Sequence, residues 1–236
     1  MKFLHLSDLH LGKVVEKRKE ISREAKKALE RSLLFMAKEG ISTVIISGDL
    51  FNEPTSDEGK KVFAWYIEEL IKRGYTALMI FGNHDKAENL DFDLEDLKKK
   101  RIFIATKIED ALHPISVEDC DFYLLPYVSK KDIKRVLGKG VDSLGASDSF
   151  ACLFASLPVD KSRKNVLLMH RTVKDLDLDK VFAPFDYCAL GHVHSLLGVS
   201  PKARYAGSLL EFKLNKLDKE RKYTVVTTDP FKIETL

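Results

Sequence analysis

The 236-residue sequence contains no glutamine, a single tryptophan and only three cysteines. Missing glutamine beside abundant Lys and Glu is the direction of hyperthermophile composition. Cys120, Cys152 and Cys188 are odd in number, far apart and without metal-site spacing. That argues against a disulfide framework and for a reducing compartment, with the three expected as small buried residues. The N-terminal MKFLHLSDLH is apolar for a few residues before it meets Ser and Asp. It is therefore neither a signal peptide nor a membrane span, and the expectation is a soluble cytoplasmic protein. A net charge of +3 is too small to name a partner. What is present is 44% apolar residues, enough for a real core, and 32% charged residues, above the usual share. The length suits one domain over residues 1–236.

Short apolar runs of strand length occur at Phe3 to Leu6, Thr43 to Ile46, Thr76 to Phe81, Val166 to Met169 and Tyr187 to Leu190. Helical patterns lie between them. One begins near Ser22 as N-cap and stops at Gly40; a second begins near Asp57 and stops at Gly74; a third covers Leu90 to Lys100. Strands alternating with helices give an α/β class with a largely parallel first sheet. The second half is richer in strands. ISVEDCDFYLLPY (115–127) reads as a hairpin turning at Glu118 to Asp121, and SLLGVS, RYAGS and YTVVTTD supply later strands. The stretch 138–149, GKGVDSLGASDS, reads as a loop.

The polar residues gather at the strand ends. The first strand runs into SDLH, the second into GDLF, the third into GNHD, the fourth into MHR and the fifth into GHVH. Each delivers a side chain of ligand type: Asp8 and His10, Asp49, Asn83 with His84 and Asp85, His170, His192 and His194. Ligands of open α/β sheets bind at that edge. The donors are imidazole, carboxylate and amide oxygen without thiolate, which suits Mn, Fe or Zn. Asp8, His10, Asp49, Asn83, His170, His192 and His194 exceed the needs of one ion. Two ions about 3.5–4 Å apart that share one carboxylate use them all. Such a pair lowers the pKa of a bridging water and clamps phosphoryl oxygens, so the chemistry implied is phosphate ester hydrolysis.

The ordered set D-x-H, GD, GNHD, H and GHxH resembles the calcineurin-like metallophosphoesterase superfamily over residues 1 to about 213. FLHLSDLHLGK, SGDLFNEP and YAGSLLEF are similar to its SbcD-type exonuclease branch, the nuclease subunit of double-strand-break repair. The resemblance implies a four-layer sandwich of two mixed β-sheets flanked by helices, with a dinuclear metal site at the strand C-terminal ends. It implies that Asp8, His10, Asp49 and His194 hold one metal, that Asp49 bridges, and that Asn83, His170 and His192 hold the other. Two divalent ions follow, Mn first, with Fe or Zn as alternatives. His84 becomes a catalytic group that donates to the leaving oxygen or stabilises transition-state charge. Asp85 is either a partner that orients an imidazole or a helix cap. Arg171 is either a fork donor to a substrate phosphate or one half of a surface ion pair. His5, inside the first strand and facing away from Leu4 and Leu6, is a packing residue or a support behind the ligands.

The implied partners are DNA as substrate and an SMC-like ATPase subunit, with no membrane. Branch members usually continue into a DNA-binding cap and an ATPase-docking segment, for which 236 residues leave little room. The loop NEPTSDEG after GDLF also lacks the basic or His-containing character of some relatives. The alternative is therefore a stand-alone phosphoesterase on small or generic esters, and the third reading is a scaffold without catalysis. Basic residues cluster at 13–27, 98–101 and 161–164. They are phosphate contacts or, where glutamates interleave, solvated helix faces. The apolar faces at Val62 to Ile71 and Leu90 to Leu97 either form a homodimer contact or cover the sheet.

Overall fold

The computed structural model describes residues 1–13, 21–138, 143–210 and 222–236. Its first half holds β1 (Lys2–Leu6), α1 (Ile21–Lys38), β2 (Thr43–Ser47), α2 (Asp57–Lys72), β3 (Thr76–Ile80), α3 (Leu94–Lys99), β4 (Ile102–Ala105), β5 (Ile115–Val117) and β6 (Cys120–Leu125). The second half holds α4 (Lys130–Leu137), α5 (Ala146–Ala155), β7 (Lys164–His170), α6 (Leu178–Val181), β8 (Tyr187–Gly191), β9 (Leu197–Ser200), β10 (Ala203–Tyr205), β11 (Thr224–Thr228) and β12 (Phe231–Thr235).

The strands form two six-stranded mixed sheets, ordered β12-β11-β1-β2-β3-β4 and β5-β6-β7-β8-β10-β9. In each, four strands are parallel: β1 to β4 in the first, and β6, β7, β8 and β10 in the second. Alternation along the strands builds three apolar layers. Leu4, Leu6, Val44 and Ile46 face outward onto Leu29, Leu33 and Met36 of α1 and Phe63, Tyr66 and Ile67 of α2. Phe3, Ile45, Leu78 and Ile80 face inward onto Phe122, Leu124, Val166, Leu168 and Tyr187 of the second sheet. Leu125, Leu167, Met169 and Leu190 face outward onto Phe150, Leu153 and Phe154 of α5 and Val181 of α6. The result is the expected four-layer sandwich.

The five expected strands are present, and the first sheet is mostly parallel as anticipated. Several details differ. Ser22 lies inside α1, which already includes Ile21. The third helix is shorter than expected, because the Asp93 carboxylate accepts from the Glu95 and Asp96 amides and caps the chain there. The hairpin turns within Glu118 and Asp119, with Glu118 at φ 50°. The end of the 138–149 stretch is helical, since α5 begins at Ala146, while residues 139–142 lie outside the described set. Phe63, Tyr66, Ile67 and Leu70 of α2 and Leu97 of α3 pack on the first sheet, so those faces cover it. Among the described residues no helix is long and apolar enough to cross a membrane.

An imidazole sits in the inner layer. His5 is fully buried. Burial, assisted by the charge of Arg204, pushes its pKa from 6.5 down to about 3. Between those values the unfolded chain binds a proton that the folded chain refuses, so stability rises with pH across that window. One such proton is worth about 1.4 kcal/mol per pH unit. The slope of unfolding free energy against pH, measured by urea melts between pH 4 and 6, is therefore expected to be shallower in His5→Gln than in wild type by up to that amount.

Candidate metal centre

The ligand-type residues converge because the loops beyond the parallel strands run on together. The Asp8 amide donates to the Gly48 carbonyl, that of His10 to Asp49, and that of Leu11 to Leu50, each at 3.0 Å. The segments DLHL and GDLF thus continue side by side past the sheet edge. From the other sheet, the His192 amide donates to both Asp8 carboxylate oxygens at 3.1 Å.

The side chains form two adjoining groups. In one, His10 Nε2 lies 3.0 Å from His194 Nε2 and 3.5 Å from Asp49 Oδ2, and His194 Nε2 lies 3.7 Å from Asp8 Oδ1. In the other, Asn83 Oδ1 faces His170 Nε2 at 3.2 Å and His192 Nδ1 at 2.9 Å, and His170 Nε2 lies 3.3 Å from Asp49 Oδ2. One oxygen of Asp49 therefore stands between the groups. Donor atoms of Asp8, His10 and His194 lie within 4.8 Å of one another, and so do those of Asp8, Asp49 and His170. Two imidazole nitrogens face each other at 3.0 Å, and two more face one amide oxygen. That arrangement aims lone pairs at shared points, which suits divalent cations with N and O ligands. Asp8, His10, Asp49 and His170 are buried, whereas Asn83 and His194 are exposed, so the site is closed from behind and open in front.

The charges follow from this packing. Burial works to raise the Asp49 carboxyl, but the His170 hydrogen bond and charge, the His84 amide and His10 outweigh it and hold it at about 2. Burial raises Asp8, with Asp49 adding repulsion. Burial lowers His10 to about 3 and also lowers His192. His170 is raised despite its burial, because Asp49 and Asp8 lie against it. Its Nδ1 lies 2.8 Å from the Ser47 carbonyl oxygen. A carbonyl can only accept, so Nδ1 carries a proton, and a cation would bind at Nε2 in place of the proton that the charged ring shares with Asp49.

The His84 ring packs edge-on against His10, with centroids 5.2 Å apart, and its amide donates to Asp49 Oδ1 at 3.1 Å. It thus borders the site without joining either group. Asp85 accepts from the backbone amides of Gly82 at 2.7 Å, Phe51 at 2.8 Å and Leu50 at 3.1 Å. Its partners are amides of two ligand loops, where sequence suggested an imidazole or a helix end. Burial pushes its carboxyl up to about 6 against the pull of those amides. Arg171 donates to both Asp175 oxygens and to the Thr172 carbonyl, and its guanidinium lies over the Phe150 ring. Of its two expected roles, the ion pair is the one seen.

Gly207 and Ser208 carry no sequence signal of a metal role. The Ser208 hydroxyl lies 2.9 Å from both the Asp8 and the Leu210 carbonyls, to either of which it can donate, and its amide donates to the His194 carbonyl at 3.1 Å. It fastens two ligand loops from opposite sheets. Tyr205 carries no sequence signal of a role. Its hydroxyl accepts from the Val173 amide and donates to the Arg171 carbonyl, holding the turn after His170. Glycines at two strand ends matter more than their motifs suggest. A Cβ on Gly191 would stand 1.8 Å from the Ser47 carbonyl oxygen, and one on Gly48 2.3 Å from His170 Nδ1. Of the expected basic clusters, Lys98 and Lys99 pair with Glu95 and Asp96, and Arg163 and Lys164 with Asp121 and Asp186. Residues 14–20 of the 13–27 cluster lie outside the described set; within it, Lys26 lies over the Trp65 ring and Lys27 pairs with Glu24.

Comparison with known proteins gives the family and the fold. The model of the calcineurin-like phosphoesterase family matches residues 1–196. The SbcD subunit of the nuclease SbcCD from Staphylococcus epidermidis is 25% identical over 249 residues, covering 96% of this chain and 66% of that protein. The chain thus spans just under two thirds of the length of that relative. Protein TT1561 of Thermus thermophilus superposes with a TM-score of 0.59 at 12% identity, over 100% of this chain and 97% of that one. A dimetal phosphatase from Danio rerio does so with a TM-score of 0.52 at 13% identity, over 95% and 91%. At such identities the two structures speak for the fold alone.

Two kinds of substitution test how the site is held. Gly191→Ala drives a methyl into the Ser47 carbonyl, at an expected cost of about 3 kcal/mol. Gly198→Ala, whose Cβ meets nothing nearer than 3.7 Å, should change little. Asp85→Ala strips the acceptor from three amides and is expected to cost about 3 kcal/mol. Urea melts of the three variants beside wild type check these values.

Proposed function

This chain belongs to the calcineurin-like phosphoesterase family, and from that membership we propose that it is an SbcD-like, two-metal nuclease that hydrolyses phosphodiesters in DNA. The family makes it a metal-dependent phosphoesterase that binds two divalent metals. The observation that carries the two-metal reading is the place of Asp49 Oδ2, 3.5 Å from one ligand imidazole and 3.3 Å from the other. In the proposal Asp8, His10, Asp49 and His194 hold one cation, and Asp49, Asn83, His170 and His192 the other. Mn is the first choice, with Fe or Zn as alternatives, since the donors are nitrogen and oxygen.

Two such cations lower the pKa of water and neutralise phosphoryl charge during in-line displacement. The chain's own groups supply the rest. Asp49, held at about 2 by its neighbours, is ionised near neutral pH and so is available to a cation. His170 keeps its proton on Nδ1 and presents Nε2. His84, set beside the ligands and tied by its amide to Asp49, is placed to give a proton to the leaving oxygen. Asp85 serves as a positioning residue that locks the turn carrying Asn83 and His84 to the GDLF loop.

DNA as substrate rests on the nuclease relative matched along 96% of this chain. The name of that relative makes it one component of a complex, and an ATPase partner for this chain belongs to the same proposal, as does a reducing, cytoplasmic setting. A second reading, hydrolysis of small phosphodiesters, is favoured by the pairing of Lys98, Lys99, Arg163 and Lys164 with carboxylates.

The test is Mn-dependent hydrolysis of linear duplex DNA, single-stranded DNA and a chromogenic phosphodiester by wild type and His84→Ala. Wild type is expected to cut DNA, in a salt-dependent manner. His84→Ala is expected to bind two Mn and to lose about 100-fold or more in kcat. Turnover of the small diester alone selects the second reading. Loss of Mn from His84→Ala makes His84 a ligand.

A further inference from the structure

Beneath the ligands runs a chain of buried polar groups that the reaction itself does not use. His5 Nδ1 lies 2.8 Å from the Tyr187 hydroxyl, and His5 Nε2 lies 3.1 Å from Ser47 Oγ. The Ser47 hydroxyl donates to the Ala189 carbonyl at 3.0 Å. The Ser47 carbonyl, in turn, is the acceptor for His170 Nδ1. His5 and Ser47 belong to the first sheet, and Tyr187, Ala189 and His170 to the second.

The direction of every bond can be deduced. A hydroxyl has one proton, and Ser47 has given its own to Ala189. Toward His5 it must therefore accept, so His5 carries its proton on Nε2. In the neutral ring Nδ1 is then an acceptor and takes the Tyr187 proton. Burial keeps the ring neutral, as the pKa of about 3 records. The groups against it agree: Tyr187 is a neutral donor packed edge-on at 5.8 Å, Ser47 is uncharged, and Arg204 repels a second cation.

Inner-layer neighbours of His5 on the same face are Phe3 and Ile45, and apolar residues would fill the space without the cost of burying a hydroxyl, an imidazole and a phenol. Polar groups in such a place are stable only when all are satisfied, and then they specify one geometry. Here that geometry fixes the distance between the sheets at the level of Ser47, next to the carbonyl that orients His170. We propose that His5, Ser47 and Tyr187 form an inter-sheet strut whose task is to position His170 for its metal, with His5 acting through Ser47. The inference rests on the two-metal reading above for its functional consequence, but not for its geometry.

The test has one readout without metal and one with it. By NMR of the metal-free protein, His5 is expected as the Nε2–H tautomer, and the His170 Nδ1 proton as a slowly exchanging signal. His5→Leu should lose that His170 signal, and so should Ser47→Ala, which makes a smaller cavity and keeps the carbonyl. His5→Gln should restore it, because the amide oxygen can accept from Tyr187 and the amide nitrogen can donate to Ser47. In Mn titration calorimetry, His5→Leu is expected to weaken one of the two ions about tenfold and to spare the other, with recovery in His5→Gln. An Nδ1–H tautomer for His5 overturns the strut. So does a His5→Leu protein that melts earlier yet keeps the His170 signal and both Mn affinities. Wild type that binds fewer than two Mn overturns the two-metal reading instead, and the metal-free readout then decides the strut by itself.

Discussion

The closeness of the two sheets at one edge is the constraint on which the rest depends. The Ser47 carbonyl at the end of β2 lies where residue 191, at the end of β8, can carry no side chain. Gly48 lies equally tight against the His170 ring. With those two glycines the sheets meet, and His170 from one reaches Asp49 from the other at 3.3 Å. Without that approach the candidate ligands would remain two separate rows, and the Asp49 carboxylate would not reach the His170 ring.

Bringing the ligands together leaves backbone strain. Asp8, His10, Asp49 and His192 all have positive φ, of 52°, 44°, 51° and 90°. Each such residue costs on the order of 1 kcal/mol in a conformation that L side chains avoid. The strain is offset by groups with no ligand role. Asp85 fixes the GDLF and GNHD turns through three amides, Ser208 joins the Asp8 and His194 segments, and Tyr205 holds the turn after His170. This scaffold also explains the asymmetry of the site. Asp8, His10, Asp49 and His170 are buried behind it, while Asn83, His192 and His194 border its open side.

Much of the fold is legible because its strands are central, parallel and buried on both faces, so each shows as a short apolar run. The β4 strand, IFIA, escapes because it follows KKKR and lies at a sheet edge. The β12 strand, FKIET, is largely polar and also an edge. The α5 helix is hidden by Gly145 and the small residues of its first turn, which locally look like a loop. Candidate ligands are legible because they follow strand ends in tight motifs. The role of Asp85 is not, since its partners are amides whose positions depend on three turns at once.

Which residue types stand at which strand ends, and hence the kind of chemistry on offer, is written in the order of residues along the chain. That order also determined the alternation that sends Leu4 outward and His5 inward. That Asp49 stands between two imidazoles, that Arg171 is engaged by Asp175, and that His5 bonds to a tyrosine 182 residues away follows only from how the two sheets pack. The physical reason is that periodicity is a local property of the chain. Distances between the two sheets are set by the glycines and buried polar groups where they touch, and neither sheet carries that information alone.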